Sequence, residues 1–107
     1  MRHDFMRIIS RKRLQEFASR HADAAQSLTH WYRFFRATNP ASLQDVRRVF
    51  PHADAVVVES GNTVTVFNLC GNKYRLVVAL HYNRRIVYIL RLIRHAAYSK
   101  GLWKNTL

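Results

Sequence analysis

The residues of this sequence best suited to chemistry are two cations, Lys73 and Arg75, in a run of strand-forming residues. Their spacing places both side chains on one face of a strand, and Asn68 of the preceding run shares that face. Two cations and an amide on a rigid sheet can position a phosphate group. The same pattern is typical of the solvated face of a half-buried sheet, and this stretch alone leaves both interpretations open.

A β-hairpin is predicted to hold these residues. β-branched and aromatic residues dominate 64–70 and 73–82, and Gly71 between them can take the positive φ that a two-residue turn requires. The predicted register pairs residues across this turn: Cys70 with Lys73, Leu69 with Tyr74, Asn68 with Arg75, and Phe67 with Leu76. Alternation assigns one face to the core, namely Phe67, Leu69, Tyr74 and Leu76. The opposite face receives Asn68, Cys70, Lys73 and Arg75.

The composition narrows the chemistry that such a face can perform. The sequence has no phosphate-cradling glycine loop, no paired carboxylates and no histidines at metal-ligand spacing. Histidine, tyrosine, lysine and arginine nevertheless suffice for cleavage of RNA by its own 2′-hydroxyl. One group removes the hydroxyl proton, cations stabilise the charge on the phosphate, and an acid protonates the leaving 5′-oxygen. We therefore expect this chemistry to require no metal or cofactor.

The charge of the chain is strongly positive and unevenly distributed. Eighteen Lys and Arg residues against six Asp and Glu give a net charge of +12. Residues 60–107 contain no acidic residue but eight cations: Lys73, Arg75, Arg84, Arg85, Arg91, Arg94, Lys100 and Lys104. A half-domain without acids cannot neutralise itself, so we expect it to attract a polyanion, most simply nucleic acid, or an acidic protein partner.

The hydrophobic pattern predicts an α+β fold with helices on one side of a mostly antiparallel sheet. A strand at 7–9 precedes two amphipathic helices, one capped by Ser10 and one over about 23–38. A short helix capped by Ser42 follows. Strands are predicted at 55–58, on both sides of Gly71, and at 86–92, and a short segment begins at His95. The aromatic stripe of the second helix is predicted to be core rather than a base-stacking platform.

Length and composition favour one domain over residues 1–107, with 1–5 as an N-terminal extension. No run approaches the roughly 20 apolar residues of a membrane span, and the N-terminus lacks the apolar region of a signal peptide. Cys70 is the only cysteine, which excludes an internal disulfide. These features predict a cytoplasmic protein that does not enter a membrane.

Several blocks of the sequence, in order, resemble the HigB family of type II toxin–antitoxin toxins. They are Met6-Arg7-Ile8-Ile9-Ser10, Trp31-Tyr32, Val66-Phe67-Asn68, Gly71-Asn72-Lys73-Tyr74-Arg75-Leu76-Val77 and His95-Ala96-Ala97-Tyr98. The resemblance implies a RelE-like fold and an endoribonuclease that cleaves messenger RNA on translating ribosomes. It also implies neutralisation by a HigA-type antitoxin with a helix-turn-helix domain, through which alone the toxin would associate with operator DNA.

The resemblance also implies roles for individual residues. Lys73 and Arg75 would hold and stabilise the scissile phosphate, while His95 and Tyr98 would share the general base and acid roles. Asn68, directly across from Arg75, would orient it or contact RNA. The remaining candidates would bind RNA, and the first two of them would also assist with charge: Arg91, Arg94, Arg84, Arg85 and Lys100. An alternative for His95 and Tyr98 is that both anchor the C-terminal segment on the sheet.

The C-terminal block departs from the family pattern, which usually contains Thr-His-x-Glu-Tyr-Asp. Here Arg94 replaces the threonine, Ala97 the glutamate and Ser99 the aspartate, and Arg91 stands where an apolar or aromatic residue is expected. These changes would either strengthen binding to ribosomal RNA or mark a diverged catalytic end. Two other classes of function stay open: a non-catalytic RNA- or ribosome-binding module, and a small DNA-associated protein that acts within a repressor complex.

Overall fold

The computed structural model describes residues 6–107, so the predicted extension 1–5 lies outside the described residues. The strands in this range are β1 (Arg7–Ile9), β2 (Asp54–Val57), β3 (Thr63–Leu69), β4 (Tyr74–His81) and β5 (Ile86–Arg94). The α-helices are α1 (Arg11–Arg20), α2 (Ala25–Ala37), α3 (Leu43–Arg47) and α4 (His95–Lys100). Short 3₁₀ helices cover Ala22–Ala24 and Leu102–Thr106.

The strands form one sheet in the order β1-β5-β4-β3-β2. β1 runs parallel to β5, whereas the other three pairings are antiparallel. The N-terminal helices pack on this mostly antiparallel sheet, which confirms the predicted α+β class.

The main core lies between these helices and the sheet. Leu28, Trp31 and Phe35 lie on one side of α2 and are buried, as their helical spacing predicts. The Trp31 ring packs edge-on against Phe67 of β3, with ring centroids 5.7 Å apart. The aromatic stripe is therefore core, as predicted.

A second, smaller core covers the opposite face of the sheet. Val64 and Val66 of β3, Val77 of β4, and Trp103 of the last 3₁₀ helix are buried there together. We name this side of the sheet the C-terminal face, because α4 and the segment after it pack on it. Within residues 6–107, no helix is both long and apolar enough to cross a membrane.

The ends of the elements differ from the predictions by a few residues. Ser42 caps α3, and its hydroxyl accepts a hydrogen bond from the Asp45 amide at 3.4 Å. Ser10 precedes α1 but makes no capping hydrogen bond, because it lies in the left-handed region with φ at 73°. The predicted helix start at Asp23 is instead part of the 3₁₀ turn, and α2 begins at Ala25.

Candidate active site

The central hairpin has the predicted register. Leu69 pairs with Tyr74, Asn68 with Arg75 and Phe67 with Leu76. Gly71 takes a positive φ of 66°, as the turn requires, but Cys70 also has a positive φ, at 52°. The alternation of side chains therefore stops at Leu69 and Tyr74, and the residues between them do not follow the strand pattern.

The prediction that Lys73 and Cys70 share a face with Arg75 is wrong for this reason. The Lys73 ammonium forms an ion pair and hydrogen bond with the carboxylate of Asp23, on the helical side of the sheet. Cys70 also packs against the helical core, and its amide donates to the Ser27 hydroxyl at 3.1 Å. Lys73 and Arg75 are therefore separated by the sheet.

Asp23 joins the hairpin to the end of α1, and this contact was not predicted. The Tyr74 hydroxyl donates to Asp23 Oδ1 at 2.9 Å and lies 3.4 Å from Nδ1 of His21. Hydrogen bonds from Lys73 and Tyr74 lower the pKa of Asp23. The Asp23 carboxylate raises the pKa of Lys73, and burial together with Asp23 raises the pKa of Tyr74.

Arg75 lies on the C-terminal face, but it is buried rather than outward-facing, with an exposed fraction of 7%. Its Nη1 donates to the backbone oxygens of Asn72 at 3.2 Å and Tyr74 at 3.1 Å. Its Nη2 donates to the side-chain oxygen of Asn72. Asn68 lies directly across the strand, yet the amide that bonds the guanidinium belongs to Asn72, which the sequence analysis did not single out.

Tyr98 covers the guanidinium of Arg75. The Arg75 Cζ lies 5.3 Å from the centre of the Tyr98 ring, within the range of a cation–π contact. Trp103 fixes the position of this ring. The Tyr98 and Trp103 rings are stacked, with 5.2 Å between their centroids and 18° between their planes. The Trp103 indole also donates to the Tyr98 backbone oxygen at 3.1 Å. Tyr98 thus both anchors the C-terminal segment and contacts Arg75, the residue predicted to bind the phosphate.

His95 reaches the same region through its backbone. β5 ends at Arg94, which pairs with Tyr74, and α4 begins at His95, whose amide donates to the Lys73 oxygen at 3.0 Å. The His95 side chain is exposed. It is therefore not packed as an anchor, and it stands at the rim beside the hairpin turn.

The other predicted RNA-binding cations fall at two ends of the molecule. Arg91, Arg94 and Lys100 lie on the late part of β5 and on α4, with Arg94 and Lys100 exposed. Arg84 and Arg85 lie in the turn before β5, which is nine residues long. At about 3.3 Å per residue, that strand separates them from His95 by roughly 30 Å. Arg84 and Arg85 therefore lie far from the candidate residues around the hairpin turn.

The site holds an arginine, an imidazole and a phenol around the hairpin turn. Across residues 6–107, no three His, Cys, Asp or Glu side chains are grouped so that they could hold a metal ion. Tyr98 contacts Arg75 directly, whereas His95 is joined to the turn by its backbone hydrogen bond to Lys73. These residue types are the ones that 2′-hydroxyl attack on a phosphate requires.

Comparison with known proteins identifies the class of protein to which this fold and site belong. The family described as HigB toxin, RelE-like toxic component of a toxin-antitoxin system, matches residues 24–101. The match spans the hairpin and α4, so the chain belongs to the HigB toxin family, as the sequence resemblance indicated. The chain is also 25% identical over 95 residues to the mRNA interferase HigB of Escherichia coli O6:H1. That alignment covers 89% of this chain and 90% of the relative.

Proposed function

We propose that this toxin is an endoribonuclease that cleaves messenger RNA on translating ribosomes and thereby inhibits translation and growth. The observation that carries the proposal is the placement of Arg75 beneath Tyr98 and beside the start of α4 at His95. Family membership and the mRNA interferase relative support it.

Arg75 is the group that binds and stabilises the scissile phosphate. Its hydrogen bonds to Asn72 and Tyr74 use three donors on Nη1 and Nη2. A guanidinium has five N–H donors, so one on Nε and one on Nη2 are left for two phosphate oxygens. Because the guanidinium is already oriented, it needs no reorganisation when charge develops on the phosphate during 2′-hydroxyl attack.

His95 and Tyr98 transfer the protons. Histidine is the side chain most often used for proton transfer near neutral pH, and His95 is exposed to an incoming strand. The Tyr98 hydroxyl takes the complementary role on the other side of the phosphate. Lys73 takes no part in this step, because its ammonium is paired with Asp23 on the other side of the sheet from Arg75.

The partner that neutralises this toxin is a HigA-type antitoxin with a helix-turn-helix domain, and operator DNA is bound only through that antitoxin. The cations near α4, Arg91, Arg94 and Lys100, contact messenger or ribosomal RNA. Arg84 and Arg85 would contact the ribosome at a separate point, since they lie at the far end of β5.

Cleavage by purified translating ribosomes, with and without the toxin variants, tests this function. We expect His95→Gln and Tyr98→Phe each to lower cleavage by roughly 10²–10⁴. Arg75→Ala should lower it by about 10²–10³. His81→Gln is the matched control, because His81 is exposed and ends β4, at the opposite end of that strand from the hairpin turn.

Ribosome binding and thermal melting must be measured beside cleavage, because Arg75 is buried and its loss also affects packing. Binding should change far less than cleavage, since many cations share it. If the folded His95 and Tyr98 variants bind ribosomes and arrest growth like the parent, the non-catalytic RNA-binding module becomes the better account.

A further inference from the structure

Two arginines from distant parts of the chain donate to one backbone oxygen. Arg13 Nη1 of α1 lies 2.9 Å from the Leu90 oxygen, and Arg91 Nη1 lies 2.7 Å from the same atom. The two nitrogens are therefore less than about 6 Å apart, a distance at which like charges repel.

Within residues 6–107, no carboxylate forms an ion pair with either arginine. The nearest acidic residue in sequence on α1, Glu16, has its ion pair with Lys12, at 4.0 Å. Arg91 Nη2 donates to the Thr106 hydroxyl at 3.1 Å, and this acceptor is also neutral. Two positive charges are thus held in fixed positions by neutral acceptors alone.

These arginines line an open cleft between α1 and the edge of β5. Its volume is about 230 Å³, and its lining includes Arg13, Arg20 and Arg91 together with Ile89 and Leu92. The cleft lies where β1 ends, because β1 pairs with β5 only as far as Tyr88 and α1 packs beside the next part of that strand. Glu16 also contributes to the lining, so the cationic side chains outnumber the acidic one there.

We propose that this cleft binds a backbone phosphate of the RNA strand, with Arg13 and Arg91 as a clamp and Arg20 at its rim. The proposal rests on the proposed function, in which RNA is the substrate. Guanidinium groups match phosphate oxygens with two parallel hydrogen bonds, and a bound phosphate would remove the repulsion between the two cations.

The position of the clamp favours a nucleic-acid strand over an isolated anion. Arg91 and His95 are four residues apart, and the strand geometry places them about 13 Å from each other along β5. A polynucleotide carries a phosphate on every residue, so one strand can occupy both the clamp and the candidate active site. The clamp would then fix the register of the RNA relative to Arg75.

Binding of a cleavage-resistant RNA tests the clamp independently of catalysis. A fluorescent oligonucleotide with 2′-O-methyl riboses would be titrated with the parent and with Arg13→Gln/Arg91→Gln at several salt concentrations. We expect affinity to fall about tenfold or more, and the slope of log affinity against log salt to fall by about 0.7 for the lost phosphate. Arg33→Gln/Arg48→Gln removes the same charge outside the cleft and should change affinity less than threefold.

Two further measurements complete the design. Inorganic phosphate should raise the melting temperature of the parent more than chloride at equal ionic strength, and this difference should vanish in the double variant. The single variants Arg13→Gln and Arg91→Gln replace the double variant if it does not fold. The clamp is overturned if the variants bind RNA as the control does, or if they lose antitoxin binding while RNA binding is unchanged. Because no cleavage is measured, an inactive endoribonuclease would leave this result unaffected.

Discussion

Arg75 is a buried cation without a carboxylate partner in the described part of the chain. Its contacts are the neutral oxygens of Asn72 and Tyr74 and the face of the Tyr98 ring. A buried charge is costly unless hydrogen bonds and an opposite charge compensate it. Here the hydrogen bonds are present but the opposite charge is missing, and an incoming phosphate would supply it. Lys73, by contrast, already has a carboxylate partner in Asp23, so we place substrate binding at Arg75.

The ion pair between Asp23 and Lys73 makes a prediction about pH. The pKa of Asp23 is lowered from 3.8, so its contribution to stability is present above that value and is lost as pH falls through the lowered pKa. The pKa of Lys73 is raised from 10.5, so its contribution is present below that value and is lost as pH rises further. Asp23→Asn should therefore reduce the melting temperature at pH 7.

The reduction should shrink below about pH 3.8, where the parent loses the same charge. Thermal melting of both proteins between pH 2 and pH 8 measures this difference. Asp54→Asn is a control, because Asp54 is in an exposed pair with Arg47 at 3.4 Å, and such pairs contribute little. An equal effect of Asp23→Asn at pH 2 and pH 7 would show that packing, not charge, is responsible.

At the scale of elements, the hairpin turn depends on the backbone of Gly71. A Cβ at this position would meet no atom within 4 Å, so any cost of substitution comes from the positive φ and not from a clash. Gly71→Val should lower the free energy of unfolding by about 1–3 kcal/mol. Gly71→Asn should cost less, because asparagine tolerates the left-handed region. Chemical denaturation of the three proteins would decide this, and equal stabilities would contradict the turn assignment.

The strands were predictable because alternation is a local signal. Phe67, Leu76 and their neighbours are spaced so that one face is apolar, and the register followed from the position of Gly71. Lys73 was placed on the wrong face because it lies in the turn, where alternation no longer applies. Its partner Asp23 is 50 residues away, and no pattern in the sequence connects two such distant positions.

The burial of Arg75 could not be predicted from sequence patterns either, because the residue that covers it, Tyr98, belongs to α4. That helix has six residues, which is too short for a helical periodicity to establish which side faces the sheet. The His-x-x-Tyr spacing still identified both residues that the structure places beside the hairpin turn. The resemblance to a family therefore supplied what periodicity could not.

The C-terminal segment positions Tyr98 through Trp103. Trp103 is buried and stacked on Tyr98, so Trp103→Ala should lower the free energy of unfolding by about 3–5 kcal/mol. It should also reduce cleavage, because the Tyr98 ring loses its support. Leu102 is next to it and 66% exposed, so Leu102→Ala should change neither quantity. Denaturation and ribosome-dependent cleavage measure both effects. A Trp103 variant that is destabilised yet fully active would show that the C-terminal segment is not needed to position Tyr98 for cleavage.

At the scale of the whole molecule, charge is segregated along the chain. All six acidic residues precede residue 60, and eight cations follow it. The fold brings one of these acids, Asp23, to Lys73 of the acid-free half. A net charge of +12 on 107 residues also repels itself, and binding of an anionic partner relieves that repulsion. RNA and an acidic antitoxin segment are therefore expected to compete for overlapping parts of the surface.

The charge of the chain makes binding of its antitoxin dependent on salt. We expect the toxin to bind an acidic segment of its antitoxin tightly at low salt and more weakly as salt is raised. At physiological ionic strength, charges more than about 8 Å apart are screened, so the long-range part of the attraction is lost first. Association rates should therefore fall more steeply with salt than dissociation rates rise. Surface plasmon resonance between 50 and 500 mM NaCl would measure both rates. If the product of the neighbouring gene neither co-purifies with this chain nor rescues growth, the pairing is contradicted. If binding is tight but independent of salt, the contact is apolar, and the charge asymmetry serves RNA alone.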